Sequence, residues 1–98
     1  MKYFIGNWKM FGVPNSINIL NKINYFTSKD KNRNRYKVII TPPYTLLQSF
    51  SKQFKKKNIT IGSQNCYQKD LFSSNTSAIS PYMIKQVGAK YTLIGHSD

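Results

Sequence analysis

Apolar residues fall into short blocks along the chain, separated by longer stretches in which they recur every three or four positions. The blocks are Tyr3-Phe4-Ile5, Val38-Ile39-Ile40, Ile59-Thr60-Ile61 and Tyr91-Thr92-Leu93-Ile94. Each is rich in β-branched or aromatic residues and bounded by Gly, Pro, Asn or Lys, the pattern of a short strand. Between the first two blocks, Ile17, Leu20, Ile23 and Tyr25-Phe26 recur at near-helical spacing. Pro14-Asn15-Ser16 just before them predicts a helix start. Leu46, Leu47, Phe50 and Phe54 repeat that spacing after Pro42-Pro43. Ser80 followed by Pro81 predicts an N-cap with proline at the first helical position, Ile84 and Val87 supply the apolar stripe, and Gly88 ends it. The order βαβαβαβ predicts an α/β fold: a parallel sheet with right-handed crossovers and helices covering its faces.

Two stretches fit no regular element. Residues 29 to 35, Lys-Asp-Lys-Asn-Arg-Asn-Arg, read as a surface loop, and Gln64 to Ala78 is long for a connection in a compact domain. Connections of that length are often functional or reach a partner. The 98 residues suffice for one domain, residues 1–98, and not for two.

Charge adds a second class of possibility. The formal net charge is +12, from 15 Lys and Arg against three acidic residues, all Asp. An excess of that size can hold nucleic acid or another polyanion by counterion release. The chain is also rich in Asn, Ile and Tyr, and its cations are scattered, which compositional drift would produce. Nucleic acid is therefore not an expected partner. The one dense run, Lys55-Lys56-Lys57, falls at a predicted helix end, where cations complement exposed carbonyls, and reads as a solvated terminus. Cys66 is the single cysteine, which excludes an intrachain disulfide and reads as a small, half-buried loop residue. No apolar run is long enough for a signal peptide or a membrane span, so the expected location is cytoplasmic.

Candidate chemistry lies at two strand ends. Asn7 and Lys9, in Gly6-Asn7-Trp8-Lys9-Met10, follow the first strand, at the end where parallel folds bind ligands. A lysine there can hold a phosphate or stabilise an oxyanion, with the asparagine orienting it; equally, the pair can be an exposed lysine beside a turn-forming asparagine. Ile94-Gly95-His96-Ser97-Asp98 repeats the placement after the fourth strand, with His96 the sole histidine. It reads as readily as a structural histidine as a catalytic one.

Gly6-Asn7-Trp8-Lys9-Met10 resembles the opening signature of the triosephosphate isomerases, and the resemblance continues in register to the last residue. Ile40-Thr41-Pro42-Pro43-Tyr44 is similar to that family's proline pair after strand two, and Gly62-Ser63-Gln64-Asn65 to its strand-three ending. Thr76-Ser77-Ala78-Ile79-Ser80 resembles its interface loop, and Tyr91 to Ser97 its histidine motif. The resemblance implies the N-terminal half of a (β/α)8 barrel and interconversion of dihydroxyacetone phosphate and glyceraldehyde 3-phosphate, without metal or cofactor. It implies that Lys9 neutralises substrate charge, that Asn7 positions the substrate and that His96 polarises the carbonyl. It also implies a homodimer in which Thr76 lies at the contact.

Departures from the family pattern bound the expectation. Phe11 stands where the family often has Asn, and Ser77 and Ala78 replace a usual glycine and a polar or acidic residue. The family continues past this point through an acidic residue into an arginine, and a full barrel needs about 250 residues. The match therefore covers roughly four strands of eight, leaving the catalytic glutamate, the lid and the phosphate loops outside it. A truncated enzyme inactive by itself is the expectation. The alternative is a basic half-barrel remnant that binds nucleic acid or an anionic partner.

Overall fold

The computed structural model describes residues 1–68 and 71–94. Over those residues the order is β1 (Lys2–Asn7), a 3-10 turn (Pro14–Ser16), α1 (Ile17–Lys29), a second 3-10 turn (Arg33–Arg35), β2 (Tyr36–Thr41), α2 (Tyr44–Gln53), β3 (Ile59–Ser63), α3 (Pro81–Gln86) and β4 (Tyr91–Thr92). The strands form one sheet in the order β1-β2-β3-β4, and each neighbouring pair is parallel. An order that never reverses, with crossovers of one hand, carries every helix to the same side. The sheet is of the barrel type, not the doubly wound type, which reverses at a switch point. Helices on both faces, as the strand runs suggested, are thus replaced by helices on one.

Register fixes which residues face them. Gly6 lies opposite Ile40, and Ile40 opposite Ile61, so these three share the helix side. Ile5, Ile39 and Thr60 line up on the other side. The buried core joins Ile40, Ile59 and Ile61 to Leu20 of α1, Leu46, Leu47 and Phe50 of α2, and Ile84 of α3. Phe50, 1% exposed, sits at its centre. Cys66 packs half-buried against this core, as its small apolar character suggested.

Local chemistry explains where the helices begin and end. Ser80 Oγ accepts a hydrogen bond from Met83 N at 3.2 Å, and Pro81 opens α3. Beyond α3, Gly88 has φ +100, and a Cβ there would lie 3.0 Å from Cβ of Ser51, so α2 and this turn pack closely only because the side chain is missing. Ser80→Ala is expected to destabilise the chain by about 1 kcal/mol, read as a lower urea midpoint at unchanged slope. No shift in the midpoint would show that the cap contributes nothing.

Two expectations are corrected, and the expected start of α1 gains a detail. Pro14–Ser16 forms a 3-10 turn before α1, with Ser16 Oγ accepting from Val13 N at 3.0 Å. Tyr25 and Phe26 are 66% and 71% exposed, because the buried stripe of α1 passes from Leu20 to Thr27. Thr27 keeps its hydroxyl satisfied there by donating to the Asn24 carbonyl. β4 ends at Thr92 instead of running through Ile94, although Leu93 N still donates to the Ser63 carbonyl at 3.0 Å.

β1 is an edge strand whose Tyr3, Phe4 and Ile5 are all more than half exposed. Adjacent residues on a strand point to opposite faces, so both faces of β1 show apolar surface. That composition suits a strand covered on both sides.

Candidate active site

Asn7, Thr41 and Ser63 are the last residues of β1, β2 and β3, so the segments that follow them meet on one rim. Asn7 turns the chain: its Oδ1 accepts from Lys9 N at 2.9 Å, the local bond for which asparagine suits turns. Trp8 N donates to the Thr41 carbonyl at 3.1 Å, tying the turn to β2. The Trp8 ring meets Phe50 edge to face at 5.8 Å, which anchors the turn in the core. Gly12, at φ +125, closes over that ring; a Cβ would come within 2.9 Å of it.

Lys9 is exposed and has φ 53, in the left-handed region. A non-glycine residue there costs on the order of 1–3 kcal/mol and persists only where its surroundings fix it. Gln64, directly after β3, supplies the fixing contact. Its Nε2 donates to the Lys9 carbonyl at 2.6 Å and to the Thr41 carbonyl at 3.0 Å. One amide nitrogen thus ties together the ends of three strands and holds the backbone of Lys9. Sequence reasoning assigned Gln64 no role; the available signal was a two-donor side chain placed directly after a strand, on the same rim as Lys9.

Gln64→Glu removes both donors and sets a carboxylate against two carbonyls. It is expected to cost about 2–3 kcal/mol, since acceptors left without partners carry a desolvation penalty. Urea unfolding measures this, and an unaltered midpoint would show that the bridge does not hold the loop.

Behind the rim, the Tyr44 hydroxyl donates to the Asn65 carbonyl, linking the start of α2 to the segment after β3. Burial, with the nearby Cys66 thiol, pushes the Tyr44 phenol above its ordinary pKa, so it remains a donor. Further along that segment, Tyr67 N donates to the Ile79 carbonyl at 2.7 Å and closes the neck of the long loop. The Phe72 ring packs edge to face on Tyr82. Thr76 stands exposed in the turn at the far end, beside Ser77 with φ 67.

The fold brings Asn7 and Lys9 onto one rim with Thr41 and Gln64. β4 runs parallel to β3, so its carboxyl end points to the same rim. His96 lies outside the described residues. Among the described residues no cluster of His, Cys, Asp or Glu could hold a metal ion, and no helix is long and apolar enough to cross a membrane.

Comparison with known proteins agrees with this geometry. The family model described as triosephosphate isomerase matches residues 2–98. The triosephosphate isomerase of Wigglesworthia glossinidia brevipalpis is 39% identical over 94 residues, covering 96% of this chain and 36% of the relative. That of Wolbachia pipientis wMel is 38% identical over 96 residues, with the same coverage. The crystal structure of triosephosphate isomerase from Bartonella henselae superposes with a TM-score of 0.85 at 35% identity, over 97% of this chain and 38% of that one. The chain therefore spans little more than a third of the length of the relatives it matches, and its sheet is the N-terminal half of their barrel.

Proposed function

Because this chain belongs to the triosephosphate isomerase family, we propose that residues 1–98 form a single partial-barrel unit, the first four strands and their helices, of an enzyme interconverting dihydroxyacetone phosphate and glyceraldehyde 3-phosphate. The observation that carries the reading is the Gln64 bridge. It fixes Lys9 in a strained conformation on the rim where Asn7 also ends its strand. A lysine held at energetic cost on that rim suits a charge that must meet an anionic substrate in one place.

In this reading Lys9 neutralises the substrate's phosphate and the negative charge developing on its oxygen, and Asn7 orients the substrate. His96 polarises the carbonyl. These roles follow the family's well-known mechanism, in which a neutral imidazole is the electrophile and a glutamate is the base. The chain contains no glutamate, so the base comes from the part of the barrel that the relatives have beyond these residues. No cofactor or metal enters this mechanism. The free edge of β1 is where a remaining strand would pair to close the barrel, and its exposed apolar faces would be covered by the barrel interior on one side and by helices on the other. The turn at Thr76 would dock in a second subunit of a homodimer, and the cytoplasm would be its location.

The dimer contact has its own test. Deleting residues 73–77 from a completed enzyme is expected to shift sedimentation from dimer to monomer. An unchanged dimer would refute the role given to Thr76.

A further inference from the structure

Ser63, the last residue of β3, is 0% exposed, and alternation along the strand puts it on the helix side with Ile59 and Ile61. A hydroxyl buried there is costly unless it is bonded. Its Oγ lies 2.9 Å from the Asn65 carbonyl and 2.7 Å from Oγ1 of Thr92, the last residue of β4. Each hydroxyl has one proton to give. Either Thr92 donates to Ser63 and Ser63 to Asn65, or Ser63 donates to Thr92 and Thr92 to the Leu93 carbonyl at 3.2 Å. Both arrangements use the 2.7 Å contact, so the shorter remaining bond, to Asn65, decides for the first. The Asn65 carbonyl accepts a second bond from the Tyr44 hydroxyl, at the start of α2. Hydroxyls from β3 and α2 thus meet on one carbonyl, and one from β4 backs the first.

Gln64 is what they enclose. The bond from Ser63 to Asn65 closes a ring around the whole Gln64 backbone, and the Tyr44 bond ties that ring to α2, whose Phe50 is at the centre of the core. The Gln64 amide must meet two carbonyls at once, Lys9 at 2.6 Å and Thr41 at 3.0 Å. A glutamine side chain gives up much rotamer freedom to do so, and a backbone already fixed on both sides lowers what remains to be ordered.

We propose that Ser63, Thr92 and Tyr44 are positioning residues of the isomerase site and act on Lys9 through Gln64. The proposal rests on the reading of Lys9 given above. The hydroxyls hold the Asn65 carbonyl, the carbonyl holds the turn, the turn aims the Gln64 amide, and the amide holds Lys9 at φ 53. Removing either donor to Asn65 leaves the other in place, whereas removing both releases the turn. The two losses are therefore coupled, and both depend on the presence of the Lys9 ammonium.

The test is steady-state kinetics of a barrel completed with the C-terminal part of the Bartonella henselae relative. It carries Ser63→Ala, Tyr44→Phe or both, each made with Lys9 and with Lys9→Met. With Lys9 present, each single change is expected to lower kcat/KM by roughly two- to threefold and the pair by roughly tenfold or more, an excess over the product that marks two groups sharing one partner. In the Lys9→Met background the same pair should cost less than about twofold, since the group it positions is gone. Thr92→Val should resemble Ser63→Ala, and Thr92→Ser, which keeps the hydroxyl, should retain activity. Ser80→Ala, whose bond to Met83 lies outside this network, is the destabilised control with unchanged kinetics. An equal loss with and without Lys9 would assign the three hydroxyls to stability alone and overturn the proposal. So would a double loss no larger than the product of the single ones, or Thr92→Ser as impaired as Thr92→Val. Unaffected hydroxyl variants beside an impaired Lys9→Met would refute this inference alone, whereas unchanged kinetics in Lys9→Met would refute the reading of Lys9 and the inference with it.

Discussion

Lys9→Met in a barrel completed by the missing strands is expected to lower kcat/KM by roughly 10²–10³-fold, the cost of removing one preorganised group from developing charge. Methionine keeps the length and flexibility of the side chain and removes its charge. The position has φ 53 with either residue, so the backbone strain is the same in both proteins. A loss confined to KM would mean that Lys9 only binds the phosphate, whereas a fall in kcat as well means that it also acts in the transition state. Lys9→Arg tests the geometry, because a planar guanidinium restores charge without restoring the compact ammonium. Steady-state kinetics of the three proteins distinguish these outcomes. Unchanged kcat and KM in Lys9→Met would remove Lys9 from the site.

The parts of this arrangement legible in the sequence were those set by local chemistry. β2 and β3 appear as β-branched runs between breakers because their residues are buried by the sheet itself, and Ser80-Pro81 marks the start of α3 because a cap needs only its own turn. Asn7 and Lys9 were legible as rim residues, since a parallel strand delivers whatever follows it to its carboxyl end. Tyr25 and Phe26 misled because near-helical spacing does not say which neighbour on the helix surface faces inward, and a threonine with a satisfied hydroxyl took the buried place. The one-sided helices follow from strand order, which individual apolar runs do not encode. Gln64 was invisible for the same reason. Its bridge depends on residues far apart in sequence that only the register of three strands brings together.

The second large effect is the difference between these 98 residues alone and the same residues within a whole barrel. Alone, they are expected to show no measurable isomerase turnover. Abstracting a proton beside a carbonyl needs a positioned base, and the acidic residues here are three aspartates. Asp30 precedes β2, at the edge of the sheet away from Lys9, and is bonded to Tyr36. A general base contributes on the order of 10²–10⁴-fold, and the closing loops of a full site add positioning and exclusion of water. The exposed Tyr3, Phe4 and Ile5 on β1 also favour association of the isolated chain, so the assay requires monodisperse protein.

The direct measurement is a coupled assay of triose phosphate interconversion on a chimera. It joins residues 1–98 to the C-terminal part of the Bartonella henselae relative and is run beside the isolated chain, with Lys9→Met and His96→Ala versions of each. The account predicts turnover in the chimera, its loss by orders of magnitude in both variants, and none in the isolated chain. Turnover in the isolated chain that His96→Ala abolishes would show a base recruited from within these residues, and a chimera whose activity ignores Lys9 and His96 would contradict the site itself.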